Sequence, residues 1–200
     1  MESLKAIYIV GPSSTGKTTL CNALITRLGL TSDMCITEVA RTVMREQGFT
    51  RADVHSLAMQ QAIVNAQATR DRQARQKATE DVVPKLQSIL LSDRSAVDAV
   101  VYAALSETTL QSGNTKALVS SPEFLEVLPF YRSLHSTFVL LRPIPEWMID
   151  DGVRSLEDGE RCYAMFVKVL KELDIPFVEV GEECRWLGER VAFVRRLVFA

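Results

Sequence analysis

Residues 11 to 18 read Gly-Pro-Ser-Ser-Thr-Gly-Lys-Thr, two glycines five apart followed at once by a lysine and a hydroxyl. The stretch directly follows "KAIYIVG" (5–11), a short β-rich apolar run. It opens "KTTLCNALITRLG" (17–29), where Leu20, Leu24, Ile25 and Leu28 recur at helical spacing and Gly29 marks a stop. A strand, a glycine-cornered loop and a helix in that order leave few options. Glycines let the backbone wrap closely around oxygens, and the N–H groups at the helix start offer donors in a positive potential. A match to this eight-residue pattern arises by chance in roughly one chain of this length in a hundred.

The rest of the chain repeats the alternation. "MCITEV" (34–39) reads as a second strand with Glu38 at its C-terminal end, and "SILLSDRS" (88–95) as a third, ending in charge. "STFVLLRP" (136–143) and "PFVEVG" (176–181) supply a fourth and a fifth. Helices are predicted over 53–80, 96–106, 157–174 and 184–198, with 107–135 a loop holding one short helix. Strands alternating with helices predict an α/β fold, a five-stranded parallel sheet sandwiched between helices. Residues 1–200 show no linker or internal repeat and read as a single domain.

Composition narrows the partners. With 47% hydrophobic and 24% charged residues and a net charge of -2, the chain is globular and carries no global basic field for a polyanion. "RDRQARQK" (70–77) mixes signs and reads as a solvated helix face, so nucleic acid is not the expected partner. Cys21, Cys35, Cys162 and Cys184 are scattered without zinc spacing and suit a reducing compartment. His55 and His135 have no Ser or Cys at a suggestive spacing. No apolar run reaches the roughly 20 residues of a membrane span, and the first strand leaves no room for a signal peptide, so a cytoplasmic protein is expected.

The loop is a Walker A motif, or P-loop. Gly11, Ser13, Ser14, Thr15, Gly16, Lys17, Thr18 and Thr19 are its expected contacts to ATP, with Lys17 reaching the β- and γ-phosphates and Thr18 the Mg²⁺. Such a site needs a carboxylate at the tip of another strand, and Asp93 and Glu38 both qualify. One would sit near the metal, the other near a substrate hydroxyl. Arg41 follows Glu38 by one helical turn, and Arg94 follows Asp93 directly. Arg142, Arg154 and Arg161 follow the fourth strand. Arginine forks suit the charge of a transferring phosphoryl group, and a segment over about 143–160 would form a small lid that excludes water.

Taken in order along nearly the whole chain, "GPSSTGKTTL", "TEVAR", "MQQAIVNAQ", "LLSDRSAVDAVVYAA" and "WMIDDGVR" resemble the NadR-like AAA-type P-loop family. That family includes the ribosylnicotinamide kinase domain and stands near the deoxynucleoside kinases. The resemblance implies a nucleoside-kinase-like fold, Glu38 or Asp93 as the base near an acceptor hydroxyl, and Arg94 against phosphates. It also implies Gln60, Asp98 and Tyr102 towards an acceptor pocket and Arg154 as the lid arginine. Trp147 and Phe49 are candidates for stacking on a base, though each more often packs in a core.

Two functions fit. A small-molecule kinase would pass the γ-phosphoryl group of MgATP to a hydroxyl of a nucleoside-like or other metabolite, working as a monomer or homodimer. A regulatory NTPase would instead hydrolyse slowly and act through a protein partner. No N-K-x-D motif for guanine is present, and "GNTKA" has the wrong spacing.

Overall fold

The structure is a computed structural model that describes residues 4–80, 88–107, 113–147 and 156–199. Its centre is a sheet of five parallel strands: β1 (Lys5–Val10), β2 (Cys35–Ile36), β3 (Ile89–Asp93), β4 (Ser136–Leu141) and β5 (Phe177–Val180), in the order β2-β3-β1-β4-β5. The intervening helices are α1 (Lys17–Leu28), α2 (Val39–Gln47), α3 (Leu57–Glu80), α4 (Ala96–Ala104), α5 (Gly113–Val119), α6 (Pro122–Tyr131), α7 (Leu156–Glu172) and α8 (Leu187–Phe199).

Side chains alternate across a strand, so each strand feeds two cores. Ala6, Tyr8, Val10, Leu90, Phe138 and Leu140 face a layer built from α3, α4, α6 and α7. Ile7, Ile9, Leu91, Val139 and Leu141 face a layer of α1 and α8, where Leu20, Leu24, Val194 and Val198 meet them. Strands buried on both faces favour apolar residues at successive positions, which is why Ala6–Val10, Ile89–Leu91 and Phe138–Leu141 stand out as unbroken runs. Each large apolar side chain buried this way contributes about 1.5–3 kcal/mol relative to exposure.

Three expectations change. The second strand is far shorter than 34–39: β2 pairs only through Cys35 and Ile36 against Leu91 and Ser92. Glu38 therefore lies beyond the strand, as the residue that starts α2. Segment 107–135 is mostly helical, since Pro122 occupies the first turn of α6 behind a Ser121 cap, where its missing N–H costs nothing. Pro129 falls near the end of the same helix. Finally, α3 begins at Leu57, behind a short 3₁₀ turn over Arg51–Asp53 capped reciprocally by Thr50 and Asp53.

The polar half of α3 is not wholly solvated either. Asp71 is fully buried and accepts the Tyr8 hydroxyl at 2.9 Å and Arg75 Nε at 2.7 Å. Arg75 also stacks 4.1 Å from the Phe130 ring centre, and burial raises the Asp71 pKa despite that cation. All four cysteines are free thiols, with Cys21, Cys162 and Cys184 buried. His55 has a partner that its sequence position did not betray, the Ser106 hydroxyl at 2.6 Å. Phe49 packs against the core. No helix among the described residues is long and apolar enough to cross a membrane.

Candidate nucleotide and phosphoryl-transfer site

The register of the sheet brings the sequence motifs to one edge. Ile9 pairs with Asp93, Val10 with Leu140, and Ile36 with Ser92. The chain therefore leaves β1 into Gly11, β2 into Glu38 and β3 into Arg94 at the same C-terminal end, the usual place for ligands in a parallel sheet.

Glycine is required at the first corner. Gly11 has φ 136°, and a Cβ there would stand 2.6 Å from the Leu141 carbonyl oxygen, a backbone atom that cannot yield cheaply. Gly16 has φ 85° and precedes α1 without any side-chain cap, and the first turn holds no acidic residue. The leading N–H groups of a helix lack intrahelical acceptors, so here they and the positive end of the helix dipole stay open to an anion. Thr15 is buried and its hydroxyl donates to the Pro12 carbonyl at 2.9 Å, pinning the loop from within.

Lys17 is 5% exposed and folds back onto this loop. Its ammonium donates to Gly11 O at 2.8 Å and to Pro12 O, with Thr15 Oγ1 at 3.5 Å. Burial lowers its pKa to about 7, helped by the nearby Arg94 charge and opposed by Asp98 and Asp93. Beside it, the Thr18 hydroxyl donates to Asp93 Oδ2 at 2.6 Å. A hydroxyl and a carboxylate in contact at the helix start suit a hard divalent cation that takes its remaining ligands from phosphate and water. No group of three or more His, Cys, Asp or Glu side chains among the described residues is placed to hold a metal alone. The donor set fits Mg²⁺ carried in with a nucleotide.

Backbone strain concentrates around the same edge. Among the described residues, the non-glycine positions with positive φ are Ser14 (63°), Glu38 (57°), Arg94 (82°) and Asp174 (50°). Three of these follow the tips of β1, β2 and β3. Strain at such positions persists only where surroundings enforce it, and it clusters at functional sites. The supports at Arg94 are visible. Its N–H donates to Ile9 O at 3.0 Å, and its carbonyl accepts Ser92 Oγ at 2.6 Å and Gln67 Nε2 at 3.4 Å.

The guanidinium of Arg94 reaches Asp98 Oδ1 at 3.1 Å and lies 6.0 Å from the Tyr102 ring centre. Burial works against its charge, but Asp98, Tyr102 and Asp93 together raise its pKa further. Asp98 is 3% exposed and fully engaged: Oδ2 accepts Ser95 N at 2.9 Å and Ser95 Oγ at 3.2 Å while Oδ1 holds Arg94. Burial raises the Asp98 pKa while Arg94 and Lys17 pull it down. Tyr102 turns towards the loop, with its hydroxyl 3.2 Å from Ser13 Oγ. Glu38 pairs with Arg41 at 2.9 Å, but both side chains stay accessible, 43% and 79% exposed. Gln60 is buried, donates to Val54 O, and leaves its Oε1 without a partner among the described residues.

Other expected members are held by other contacts. Arg161 is tied to the carbonyl of Leu105 at 2.6 Å, at the end of α4. Arg142 lies over Tyr163, 5.1 Å from its ring centre. Arg154, most of the expected lid and the Trp147 side chain fall outside the described residues. A cavity of about 710 Å³ opens between α2 and α3, lined by Val39, Val43, Gln61, Ala62 and Asn65 among others. At 100° per residue it occupies the side of α3 opposite Gln60 and Gln67, and none of Lys17, Asp93 or Arg94 lines it.

Two supports of the site belong to no motif. Gln67 is buried on the same helical stripe as Gln60, Val64 and Asp71, and a polar residue recurring on an apolar stripe was the available signal. Arg190 of α8 donates through Nη1 to Thr15 O at 2.8 Å, across 175 residues of sequence. Nothing local in "LGERVAFVRRLVF" distinguishes it.

A glycine-cornered loop on an uncapped helix, with lysine inside it and Thr18 on the carboxylate of a neighbouring strand, defines a P-loop nucleotide-binding domain. The chain belongs to the AAA domain family, whose model matches residues 6–185. No curated protein matches it significantly in sequence. Its fold is shared with nucleoside and nucleotide kinases. NadR protein in complex with NR is 21% identical, covering 98% of this chain and 52% of that one with a TM-score of 0.60. This chain thus spans about half the length of NadR. Deoxyadenosine kinase from M. mycoides with dCMP and dCDP bound is 15% identical over 96% of this chain and 97% of that one, with a TM-score of 0.56. Thymidylate kinase from Candida albicans is 17% identical over 98% and 92%, with a TM-score of 0.54.

Proposed function

We propose that this protein is a kinase that transfers the γ-phosphoryl group of ATP to a hydroxyl of a small, nucleoside-like or other metabolite. The observation that carries the reading is the convergence of an open phosphate cradle, a Thr18–Asp93 pair and the Arg94 guanidinium at one sheet edge. A magnesium ion bound with the nucleotide would neutralise phosphate charge, and Thr18 and Asp93 are the side chains that would hold it.

The chain's own residues divide the remaining tasks. Lys17 leaves the Gly11 and Pro12 carbonyls for phosphate oxygens, which supply the counter-charge its buried ammonium lacks. Arg94 meets the developing charge on the transferring group. Asp93 is 6% exposed and already engaged by Thr18, whereas the Glu38 side chain is 43% exposed. Glu38, more exposed and engaged only by the surface Arg41, is therefore the carboxylate that would accept the proton of an incoming hydroxyl as its oxygen bonds to phosphorus and ADP departs. Tyr102 and Gln60 border the acceptor side. Asp98 serves it by holding Arg94, and Arg41 by holding Glu38.

Acceptor-dependent phosphorylation should fall at least about a thousandfold in Lys17→Ala and Asp93→Asn, with far-ultraviolet dichroism and thermal unfolding remaining cooperative. Turnover retained in either folded variant overturns the assignment.

A further inference from the structure

Arg190 lies near the start of α8 and is 2% exposed. Its guanidinium joins two backbone carbonyls: Nε donates to Cys184 O at 2.9 Å, in the turn between β5 and α8, and Nη1 donates to Thr15 O at 2.8 Å, in the phosphate loop. Elsewhere the α1–α8 layer is apolar, with Leu20, Leu24, Val194 and Val198 in contact. Placing a permanently charged group in such a layer is costly, and an apolar residue of similar volume often serves packing as well or better.

What the charge does follows from the bond it makes. The Thr15 carbonyl belongs to the same peptide unit as the Gly16 N–H. That N–H stands at the uncapped start of α1 and finds no protein acceptor among the described residues. A cationic donor on the carbonyl draws electron density from the peptide and makes its N–H a stronger donor on the opposite side. The same bond fixes the plane of the peptide, and with it the direction in which the N–H points.

We propose that Arg190 is a positioning residue for the phosphate loop: acting through the Thr15–Gly16 peptide from behind, it orients and strengthens a donor for the phosphates of the nucleotide without touching them. The proposal rests on the nucleotide-binding reading of the loop and is independent of the acceptor's identity. Because the effect is on phosphates, it should be blind to the base and the sugar.

The test is calorimetric titration of the wild type, Arg190→Lys and Arg190→Met with MgATP and with inorganic tripolyphosphate, beside ligand-free melting curves. In Arg190→Met both ligands should bind at least tenfold more weakly, by the same factor. Arg190→Lys, which keeps the charge but not the fork, should fall between. In turnover, the KM for nucleotide should rise while the KM for the acceptor stays put. A lowered melting temperature with unchanged affinities, measured where the variant is fully folded, overturns the proposal. So does an Arg190→Lys protein that binds tripolyphosphate as tightly as wild type, which decides the matter if Arg190→Met fails to fold. A wild type that binds ATP through this loop but phosphorylates nothing would refute the kinase reading and leave Arg190's role standing.

Discussion

Two helix starts stand side by side on this sheet and are built in opposite ways. Strands β1 and β3 are hydrogen-bonded neighbours, and each turns at its C-terminal end into a helix. At α4, Ser95 is extended (φ −147°) and its hydroxyl accepts the Val97 N–H, while Asp98 reaches back to the Ser95 N–H. That reciprocal cap satisfies the terminus from within. At α1, Gly16 replaces the capping side chain and no carboxylate occupies the first turn. The helix start in the glycine-cornered loop keeps its donors open, and the neighbouring helix start closes its own. Asp98 also fixes Arg94, so the closed terminus positions a cation beside the open one.

Lys17 should give the largest effect in probing this contrast. In the nucleotide-free protein its ammonium is buried against carbonyls with a pKa of about 7, against 10.5 for an ordinary lysine. Between those values the unfolded chain binds the proton and the folded one does not, so the Lys17 contribution to stability should rise with pH from about 7 to 10.5. The span is bounded at about 5 kcal/mol. Burial holds Cys21, Cys162, Tyr8 and Tyr131 protonated and works the other way at the alkaline end, but in both proteins. The difference in urea stability between wild type and Lys17→Met should therefore grow in favour of wild type across that range, and saturating tripolyphosphate should abolish this pH dependence. Parallel pH profiles would show that the lysine is not strained in the free loop.

Next comes the loop's corner. Gly11→Ala sets a methyl against the Leu141 carbonyl and should cost about 2–3 kcal/mol in denaturant unfolding, with loss of nucleotide binding. The smallest effect belongs to the closed terminus. Ser95→Ala should destabilise by about 1 kcal/mol and leave tripolyphosphate affinity within about threefold, because Asp98 keeps both the Ser95 N–H and Arg94 without the Ser95 hydroxyl. A larger loss of affinity would mean that the two termini are not separable.

How much of this was legible in the sequence depended on how local the cause was. The phosphate loop is written in eight consecutive residues, and the apolar runs within β1, β3 and β4 are unbroken because both faces of the sheet are covered. The edge strand β2 was overdrawn because only two of its residues pair, and apolar "MCITEV" does not say where pairing stops. Pro122 marked a break in the sequence but begins a helix in the structure, the one place where proline is welcome. The Ser95-x-x-Asp98 spacing of a capping box is legible in the sequence, and the structure forms that cap. Gln67 leaves only its place on the apolar stripe of α3 as a signal, and Arg190, bonded to a carbonyl 175 residues away, leaves none, because no local pattern encodes a partner so distant.

The kinase reading is tested most directly by ADP release from the purified wild-type protein with MgATP, measured alone and with a panel of nucleosides and cofactor precursors. Release should be negligible alone and rise strongly with at least one hydroxyl-bearing acceptor, which gains the mass of one phosphoryl group for each ADP formed. Steady hydrolysis that no small acceptor changes, and that responds only to a protein partner, would contradict that reading and identify a regulatory NTPase instead.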